Sequence, residues 1–515
     1  MSQQDYRRKI KGRDELRAIL GPRPRVRPVI LCHGTFDLVH PGHIRHLMAA
    51  REKAEVLVVS LTCDAHITKA NYRPFLPQEL RAMNLAALEV VDFVLIDEAP
   101  DPLENLRFLQ PDFFAKGCEY NADGLHPKTA REVEVVESYG GQVAFTPDDV
   151  VFSSSRFIQE APPDLRAEKL ALLMSSEGVT FGGLRSALGG LAGVRAHVVG
   201  DTIVDTHLSC SVIGGTAGSS TCSLKLESQV DALGGAAVVA KHLRRAGAEV
   251  VFSTVLGDDA LGQFVRDDLE AAGVTCRAFV DRSRPTTQKN VFLADGQRML
   301  KVNKVDNRPI TDKALSFLTT GLRSTRADTV AFSDFRHGIF HRGSIPDLTA
   351  NMPAGAVSVA DSQVASRWGN VLDFQGFDLL TPNELEARYA LGDQDAPARI
   401  LAQELYRRAG CGTLILKLGK MGTLTCRGLP GEPRPPFAMD SFADQVADPV
   451  GAGDALLAYA ALGLTATRSP VLASLLGSLA AAVICEREVN EPVAPDDLRR
   501  KLSHLERRSP QPCAA

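Results

Sequence analysis

Asp448-Pro449-Val450-Gly451-Ala452-Gly453-Asp454-Ala455 is the stretch on which the reading of the larger part of this chain turns. It runs without a breaker into Leu456-Leu457-Ala458-Tyr459-Ala460-Ala461-Leu462, so the glycines sit where a loop becomes a buried helix. Gly451 and Gly453, separated by Ala452, leave backbone N–H groups uncovered at a helix N-terminus, where the helix dipole also favours negative charge. These three residues therefore read as an anion site. Beside it, the Asp454 carboxylate is placed to take a proton from a hydroxyl while the N–H groups hold the charge developing on a transferred phosphoryl group. A lone Gly-x-Gly is usually a turn, and it is the full D-x-x-G-A-G-D string that makes this reading specific.

At 515 residues the chain exceeds one ordinary core and implies two or three domains. A hydrophobic content of 44% is that of a globular protein. A formal net charge of -4 with a pI near 6.3 supplies no basic surplus for gripping a polyanion, which argues against nucleic acid as a partner and leaves small phosphorylated ligands open. The ten cysteines are scattered without a C-x-x-C pair, as expected of reduced thiols in a cytoplasmic protein. Residues 1–27 are crowded with charge, lack the apolar segment of a signal peptide, and read as a lead-in. The longest apolar run, Val471 to Cys485, is shorter than a bilayer span and interrupted by Ser474, Gly477 and Ser478. It reads as a core helix, with no membrane partner expected.

A second motif lies near the start. Pro28-Val29-Ile30-Leu31-Cys32 has the character of a buried strand, and His33-Gly34-Thr35-Phe36-Asp37-Leu38-Val39-His40-Pro41-Gly42-His43 then leads into a helical stretch from Ile44 to Lys53. Strand, glycine-bearing loop and helix form a nucleotide-site layout. His40 and His43, three apart at the helix entry, can face one point above its N-terminus. For one histidine a capping or core role is the simpler reading. The complete G-T-F-D-x-x-H-x-G-H string favours paired imidazoles that stabilise a phosphate.

The early string resembles the signature of the cytidylyltransferase-like nucleotidyltransferases, and the late one that of the ribokinase-like (PfkB) carbohydrate kinases. The first resemblance runs from Val29 to Ile158 through Glu79-Leu80-Arg81, Lys116-Gly117 and Val151-Phe152-Ser153-Ser154-Ser155. It implies Gly34, Thr35, Phe36, Lys116, Ser153 and Ser154 as nucleotide-binding residues, with His40 and His43 catalytic. The second implies Asp454 as catalytic base, and Gly451, Ala452, Gly453, Gly419 and Gly422 at the nucleotide. It also implies Asp205, Gly234, Gly235 and Lys289 at the sugar, the last from Arg284-Pro285-Thr286-Thr287-Gln288-Lys289. Its N-x-x-E motif, Asn383 and Glu386, is associated with Mg²⁺ through water, the alternative on this segment being a helix cap.

The implied architecture is α/β. It comprises a lead-in (1–27), a Rossmann-like nucleotidyltransferase domain (28–160), a linker (161–193), a ribokinase-like kinase domain with a small β lid (194–506) and a tail (507–515). The chain is most similar to the bifunctional enzymes of ADP-heptose synthesis, with the two domains in reversed order. That similarity implies phosphorylation of a sugar phosphate at its anomeric hydroxyl and AMP transfer to a sugar 1-phosphate, with ATP and Mg²⁺ and a homodimer formed through the lid.

Departures from the pattern leave other readings open. Val238 and His242 stand where the family has asparagines, and Ser333-Asp334-Phe335-Arg336-His337-Gly338 replaces Ser-Asp-Tyr-Gly-Lys-Gly. Asp361-Ser362-Gln363 replaces Asp-Pro-Lys, and Gly117-Cys118-Glu119-Tyr120 replaces Gly-Gly-Asp-Tyr. A kinase with a nucleotide-sensing N-terminal domain, or both activities on a non-heptose sugar with CTP, remain alternatives.

Overall fold

The computed structural model describes residues 6–67, 74–117, 127–146, 165–215, 222–294, 296–363, 370–429, 432–487 and 491–508. The chain divides into two compact units, Met1–Leu165 and Arg166–Ala515.

The first unit is a parallel sheet of β1 (Val29–Gly34), β2 (Val56–Thr62), β3 (Phe93–Asp97), β4 (Phe113–Gly117) and β5 (Gln142–Thr146), in the order β3-β2-β1-β4-β5. Its strands are continuous apolar runs because both faces are covered. Ile30, Cys32, Leu57 and Val59 enter one core cluster, while Val29, Leu31, Val56 and Val58 enter the other, as the two-residue period of a strand requires. The strand order reverses between β1 and β4. The crevice beyond their carboxyl ends is therefore the switch point at which open α/β sheets take ligands, and His33-Gly34 and Lys116-Gly117 end there.

Residues 6–27 are an integral part of this unit, which corrects their reading as a lead-in. Helix Arg13–Leu20 buries Leu16 in the cluster of Val29 and Leu31, and Ile10 pairs with Val94 on the edge of the sheet. The charges have local work as well. Lys9 donates to the carbonyls of Leu88 and Val91, and Arg25 to those of Leu109 and Gln110, where a helix ends with its carbonyls unsatisfied.

The second unit carries two sheets. Its strands are β6 (Arg195–Gly200), β7 (Thr202–Gly215), β8 (Cys222–Gly235), β9 (Glu249–Gly257), β10 (Thr275–Asp281), β11 (Gln288–Ala294), β12 (Gln297–Lys304), β13 (Thr329–Asp334), β14 (Val357–Ser362), β15 (Leu379–Leu380), β16 (Thr413–Lys417), β17 (Thr423–Leu429) and β18 (Glu432–Met439). Nine form the main sheet, in the order β10-β9-β6-β13-β14-β15-β16-β17-β18, parallel except for β17 and β18. The other four form a separate sheet, β12-β11-β7-β8, which is the lid.

Helices Ala452–Thr467 and Pro470–Cys485 are apolar on every side because both are buried. The apparent breakers in the second helix have packing reasons. Ser474 and Ser478 meet Thr425 and Thr423 of β17, and a Cβ on Gly477 would come within 2.9 Å of the Leu456 carbonyl.

The segment expected as a helical connector is helical and packs into the second unit. Helices Arg166–Ser176 and Phe181–Gly189 bury Leu170, Leu173, Met174, Leu184 and Leu188 in the main core, and Glu177 pairs with Arg427. The glycines that looked like linker composition punctuate these helices, Gly178 in the left-handed region at φ +63°. Residues 161–164 and the tail from Ser509 lie outside the described residues. No helix among the described residues is long and apolar enough to cross a membrane.

Candidate active sites

In the second unit, Gly451 takes φ +85° as the N-cap of helix Ala452–Thr467, a conformation that favours glycine, and no side chain caps the helix. Its first N–H groups thus face the space in front of it. Lys417, at the end of β16, reaches the same place, since a Cβ on Gly453 would lie 3.4 Å from its Nζ. The Lys417 ammonium is 2.9 Å from Asp361 Oδ1, which also accepts from Thr381 Oγ1 at 3.0 Å. Burial works against this ammonium, but Asp361, Glu386 and Asp454 outweigh it and hold it charged.

Asp454 is half-buried, and its carboxyl is pushed up to about 7 by burial and by Asp361, against the opposing pull of Lys417 and Lys289. Asp205 adds to the upward push, so carboxylates and ammonium groups from β7, β11, β14 and β16 all surround this one group. A carboxylate with its affinity for protons raised to near neutrality suits general base chemistry on a hydroxyl.

Asp205 and Lys289 are partners on the adjacent parallel strands β7 and β11. Gly234 matters for a reason the sequence did not suggest: a Cβ there would fall 2.2 Å from Asp205 Oδ2. Its missing side chain makes room for the carboxylate itself. Gly235, at φ +63°, lies against the Asp201 carbonyl, where a Cβ would sit at 2.5 Å. Gly419 opens the turn after β16, and Gly422 is demanded by packing, because its Cβ would lie 2.0 Å from the Met439 carbonyl.

Asn383 and Glu386 form a capping box. Asn383 Oδ1 accepts from Glu386 N at 2.9 Å, and the two Glu386 oxygens accept from Asn383 N and Nδ2, each at 2.7 Å. With those oxygens engaged, and with no cluster of three or more His, Cys, Asp or Glu side chains placed to hold a metal among the described residues, the pair does not fit direct Mg²⁺ ligation.

Two of the departing residues are structural. Val238 is buried in helix Ala236–Arg245, and His242 accepts from Val493 N at 3.1 Å, its imidazole pushed down to about 3 by burial. Asp201 nails down the 335–339 loop, its carboxylate accepting from the backbone N–H groups of Phe335, His337 and Ile339. Within that loop Arg336 holds φ +62° where the family has glycine, and its guanidinium is 2.8 Å from Asp334 Oδ2.

In the first unit, His40 is the N-cap of helix Pro41–Arg51, its Nδ1 accepting from Gly42 N at 3.1 Å. The His40 and His43 rings lie 3.8 Å apart between centroids, and the Phe36 ring is 5.1 Å from His43. Gly42 leaves space for the His40 ring, which a Cβ would meet at 2.9 Å, and Gly34 does the same for Phe36 at 3.1 Å. Phe36 itself is in the left-handed region at φ +48°.

The loop is held from behind. Asp37 accepts from the backbone N–H groups of Phe75 and Leu76, and the fully buried Arg81 donates to the Thr35 carbonyl at 2.6 Å and to Asp64 at 2.6 Å. Lys116 stands at the end of β4, 2.6 Å from Glu132. Ser153 and Ser154 lie outside the described residues.

Sequence reasoning assigned no role to Lys417, Asp361 or Arg81. The available signal for Lys417 was a lysine closing the apolar run Thr413 to Leu416 directly before a glycine turn. For Arg81 nothing in the local pattern announced full burial.

Known proteins bear on both units. The cytidylyltransferase-like family matches residues 31–160, and the family described as pfkB family carbohydrate kinase matches residues 198–495. The bifunctional protein HldE of Pelobacter propionicus is 37% identical over 146 residues, covering 28% of this chain and 29% of that protein. The bifunctional protein HldE of Desulfatibacillum aliphaticivorans is 28% identical over 316 residues, covering 60% of this chain and 63% of that protein. Each alignment is one domain in size and spans less than two thirds of the relative. Phosphofructokinase-2 of Escherichia coli, solved with potassium, superposes with a TM-score of 0.51 at 16% identity over 61% of this chain and 99% of its own, a likeness of fold. With its N-terminal unit cytidylyltransferase-like and more than half of its length matched by the kinase family, the chain belongs to the pfkB family of carbohydrate kinases.

Proposed function

We propose that this chain is a bifunctional enzyme of sugar-nucleotide synthesis, acting first as a kinase on a sugar phosphate of the heptose 7-phosphate type and, once a separate phosphatase has hydrolysed the original phosphate from the bisphosphate product, as an adenylyltransferase on the resulting sugar 1-phosphate. The observation that carries the reading is the meeting of a carboxylate raised to about 7, an uncapped helix N-terminus and the Lys417 ammonium in one place. In the kinase step the anomeric hydroxyl gives its proton to Asp454 and its oxygen attacks the γ-phosphorus of ATP. The bond to the β-phosphate oxygen breaks and ADP leaves. The N–H groups at Gly453 and Asp454, together with Lys417, face the charge spread over the transferring group. Asn383 and Glu386 would hold Mg²⁺ through water, and the ion would offset the charge of the ATP phosphates.

In the transferase step a phosphate oxygen of the sugar 1-phosphate attacks the α-phosphorus of ATP and pyrophosphate leaves, with His40 and His43 stabilising the triphosphate. The product is an ADP-sugar. Both reactions consume ATP, which supports a cytoplasmic location for the enzyme. Incubating the purified chain with a panel of sugar phosphates and each nucleoside triphosphate, while following ADP and pyrophosphate separately, tests the reading. Release of neither product overturns it, and pyrophosphate from CTP alone redirects the transferase.

Asp205 is the proposed sugar ligand, and Gly234 keeps its carboxylate in place. Gly234→Ala is therefore expected to raise KM for the sugar by about tenfold or more, the cost of a lost charge-assisted hydrogen bond, with kcat changed less. Steady-state kinetics beside Asp205→Ala check this, and a wild-type KM for Gly234→Ala refutes it.

The lid leaves Val212, Ile213, Leu226, Met299 and Leu300 exposed, which supports a dimer formed through it. Leu300→Lys with Ile213→Lys is expected to give a monomer in light scattering. An unchanged mass would place any dimer elsewhere.

A further inference from the structure

We propose that the Lys417 ammonium is the resident cation of the kinase site, tethered beside Asp361 where a free ion would otherwise be recruited, and that the nucleotide-free site therefore takes up no metal ion of its own. This rests on the kinase reading above and adds what that reading leaves open, the cation requirement of the site and the parts of Asp361 and Thr381 in it.

The tether is built at the end of the main sheet. At the close of β16 the Lys417 N–H donates to the Pro382 carbonyl at 2.8 Å, and Lys417 pairs with Asn383 as an isolated bridge. The strand end is thereby fastened beside the cap of helix Glu384–Leu391. Asp361 stands on β14, and the strand between them, β15, is only two residues long. The lysine side chain spans that gap to reach Asp361 Oδ1 at 2.9 Å. Thr381, the residue after β15 and fully buried, donates to the same oxygen at 3.0 Å. Only 16% of the Lys417 side chain and 6% of the Asp361 side chain are exposed, so salt in solution screens the pair weakly.

The ammonium has capacity to spare. Lysine carries three donors, and among the described residues Asp361 is its one hydrogen-bond partner. A Cβ on Gly453 would lie 3.4 Å from Nζ, which puts the ammonium at the bare N-terminus of helix Ala452–Thr467, where the kinase reading seats the transferring phosphoryl group.

The carboxylates around it are spent in turn. Both Glu386 oxygens accept from Asn383, and Asp361 Oδ1 serves Lys417 and Thr381. Mg²⁺ demands a nearly octahedral shell of oxygens, and no cluster of three or more His, Cys, Asp or Glu side chains among the described residues offers a start on one. Glu386 and Asp454 join Asp361 in holding the ammonium charged against its burial, so the negative charge that would attract a free ion already has its cation. A tethered cation is in position before the nucleotide arrives and needs no reorganisation at the moment of reaction. Any ion that Asn383 and Glu386 hold through water then comes with the ATP.

Two measurements on the full chain test this. Mn²⁺, which shares the oxygen ligands and octahedral geometry of Mg²⁺, is titrated without nucleotide into the wild type, Asp361→Asn and Asp454→Asn, and the bound ions are counted by electron paramagnetic resonance. All three proteins are expected to bind the same number, and an ion lost in either variant overturns the proposal. In assays of ADP formation Lys417→Ala should lower kcat by about 10²–10³-fold, the loss of one transition-state donor, and ethylammonium should restore it saturably while leaving the wild type unchanged. A lysine with a purely structural part would not be replaced by a free amine. An undiminished kcat in Lys417→Ala, or no response to ethylammonium in a variant that circular dichroism shows to be folded, therefore also overturns the proposal. Lys417→Met combined with Asp361→Asn removes both charges together and serves where Lys417→Ala does not fold. Its kcat should be equally low, and a wild-type kcat in it refutes the assignment. Failure of the kinase reading looks different: no sugar yields ADP, and the Mn²⁺ counts remain equal.

Discussion

Asp454→Asn is expected to lower sugar phosphorylation by about 10²–10⁴-fold, the range supplied by a positioned general base, while nucleotide affinity changes no more than a few-fold. The amide keeps the shape of the side chain but cannot take the hydroxyl proton, and the nucleotide is held by groups that the substitution leaves intact. The pH profile adds a second handle. In the proposed mechanism only the deprotonated carboxylate is active, and burial together with Asp361 pushes Asp454 up to about 7. The wild-type kcat/KM should therefore fall as pH drops through about 7, whereas a carboxylate in its ordinary range would stay active well below that. Removing the like charge with Asp361→Asn should move this limb to lower pH. Stopped assays of ADP formation against pH decide the matter. Phosphorylation by Asp454→Asn at the wild-type rate would remove Asp454 from the chemistry, and an acid limb that stays put in Asp361→Asn would remove the electrostatic account of it.

Replacing His40 or His43 by alanine should slow nucleotidyl transfer by roughly 10²-fold or more, the loss seen when one donor to a transition state is removed. The stacked rings at the start of helix Pro41–Arg51 lie at the switch point of the sheet, where a triphosphate would be bound. His40 also caps that helix, so alanine there costs about 0.5–2 kcal/mol of local stability besides its chemistry. His40→Asn separates the two effects, since an asparagine retains a cap and lacks the imidazole. Pyrophosphate release should remain low in His40→Asn while the melting temperature recovers, and kinase turnover at Asp454 should be unaffected throughout. Release at the unmodified rate in both alanine variants would overturn the assignment, as would a nucleotidylated protein accumulating without sugar phosphate.

Much of this molecule is legible without coordinates because it depends on near neighbours in the chain. The short continuous apolar run at Val29 to Cys32, the uninterrupted run from Leu456 to Leu462, and the glycines at 451 and 453 specify a strand, a buried helix and its bare N-terminus through run length, backbone angles and short-range pattern. At residues 166–189 locality gave the helices but not their packing. The stretch reads as a helical connector with glycine-rich breaks, and whether Leu170, Leu173 and Leu184 find a core depends on elements far along the chain.

What surrounds a buried charge is likewise beyond local reading. Asp454 acquires its raised affinity for protons from burial, Asp361 and Asp205 against the pull of Lys417 and Lys289, and Arg81 reaches Thr35, 46 positions earlier in the chain. Gly234 is required by a carboxylate 29 positions earlier in the chain, 234 against 205. The sequence by itself determined the two domain types, their order along the chain and the candidate residues in each motif, since each motif is a contiguous run whose geometry its own backbone dictates. Only the tertiary structure decided which charges face one another, which glycines make room for which groups, and that Asn383 and Glu386 close on each other as a cap. Those outcomes follow from strand order and side-chain packing, and in a low-dielectric interior it is distance across the fold, not separation along the chain, that sets the strength of a charge's interactions.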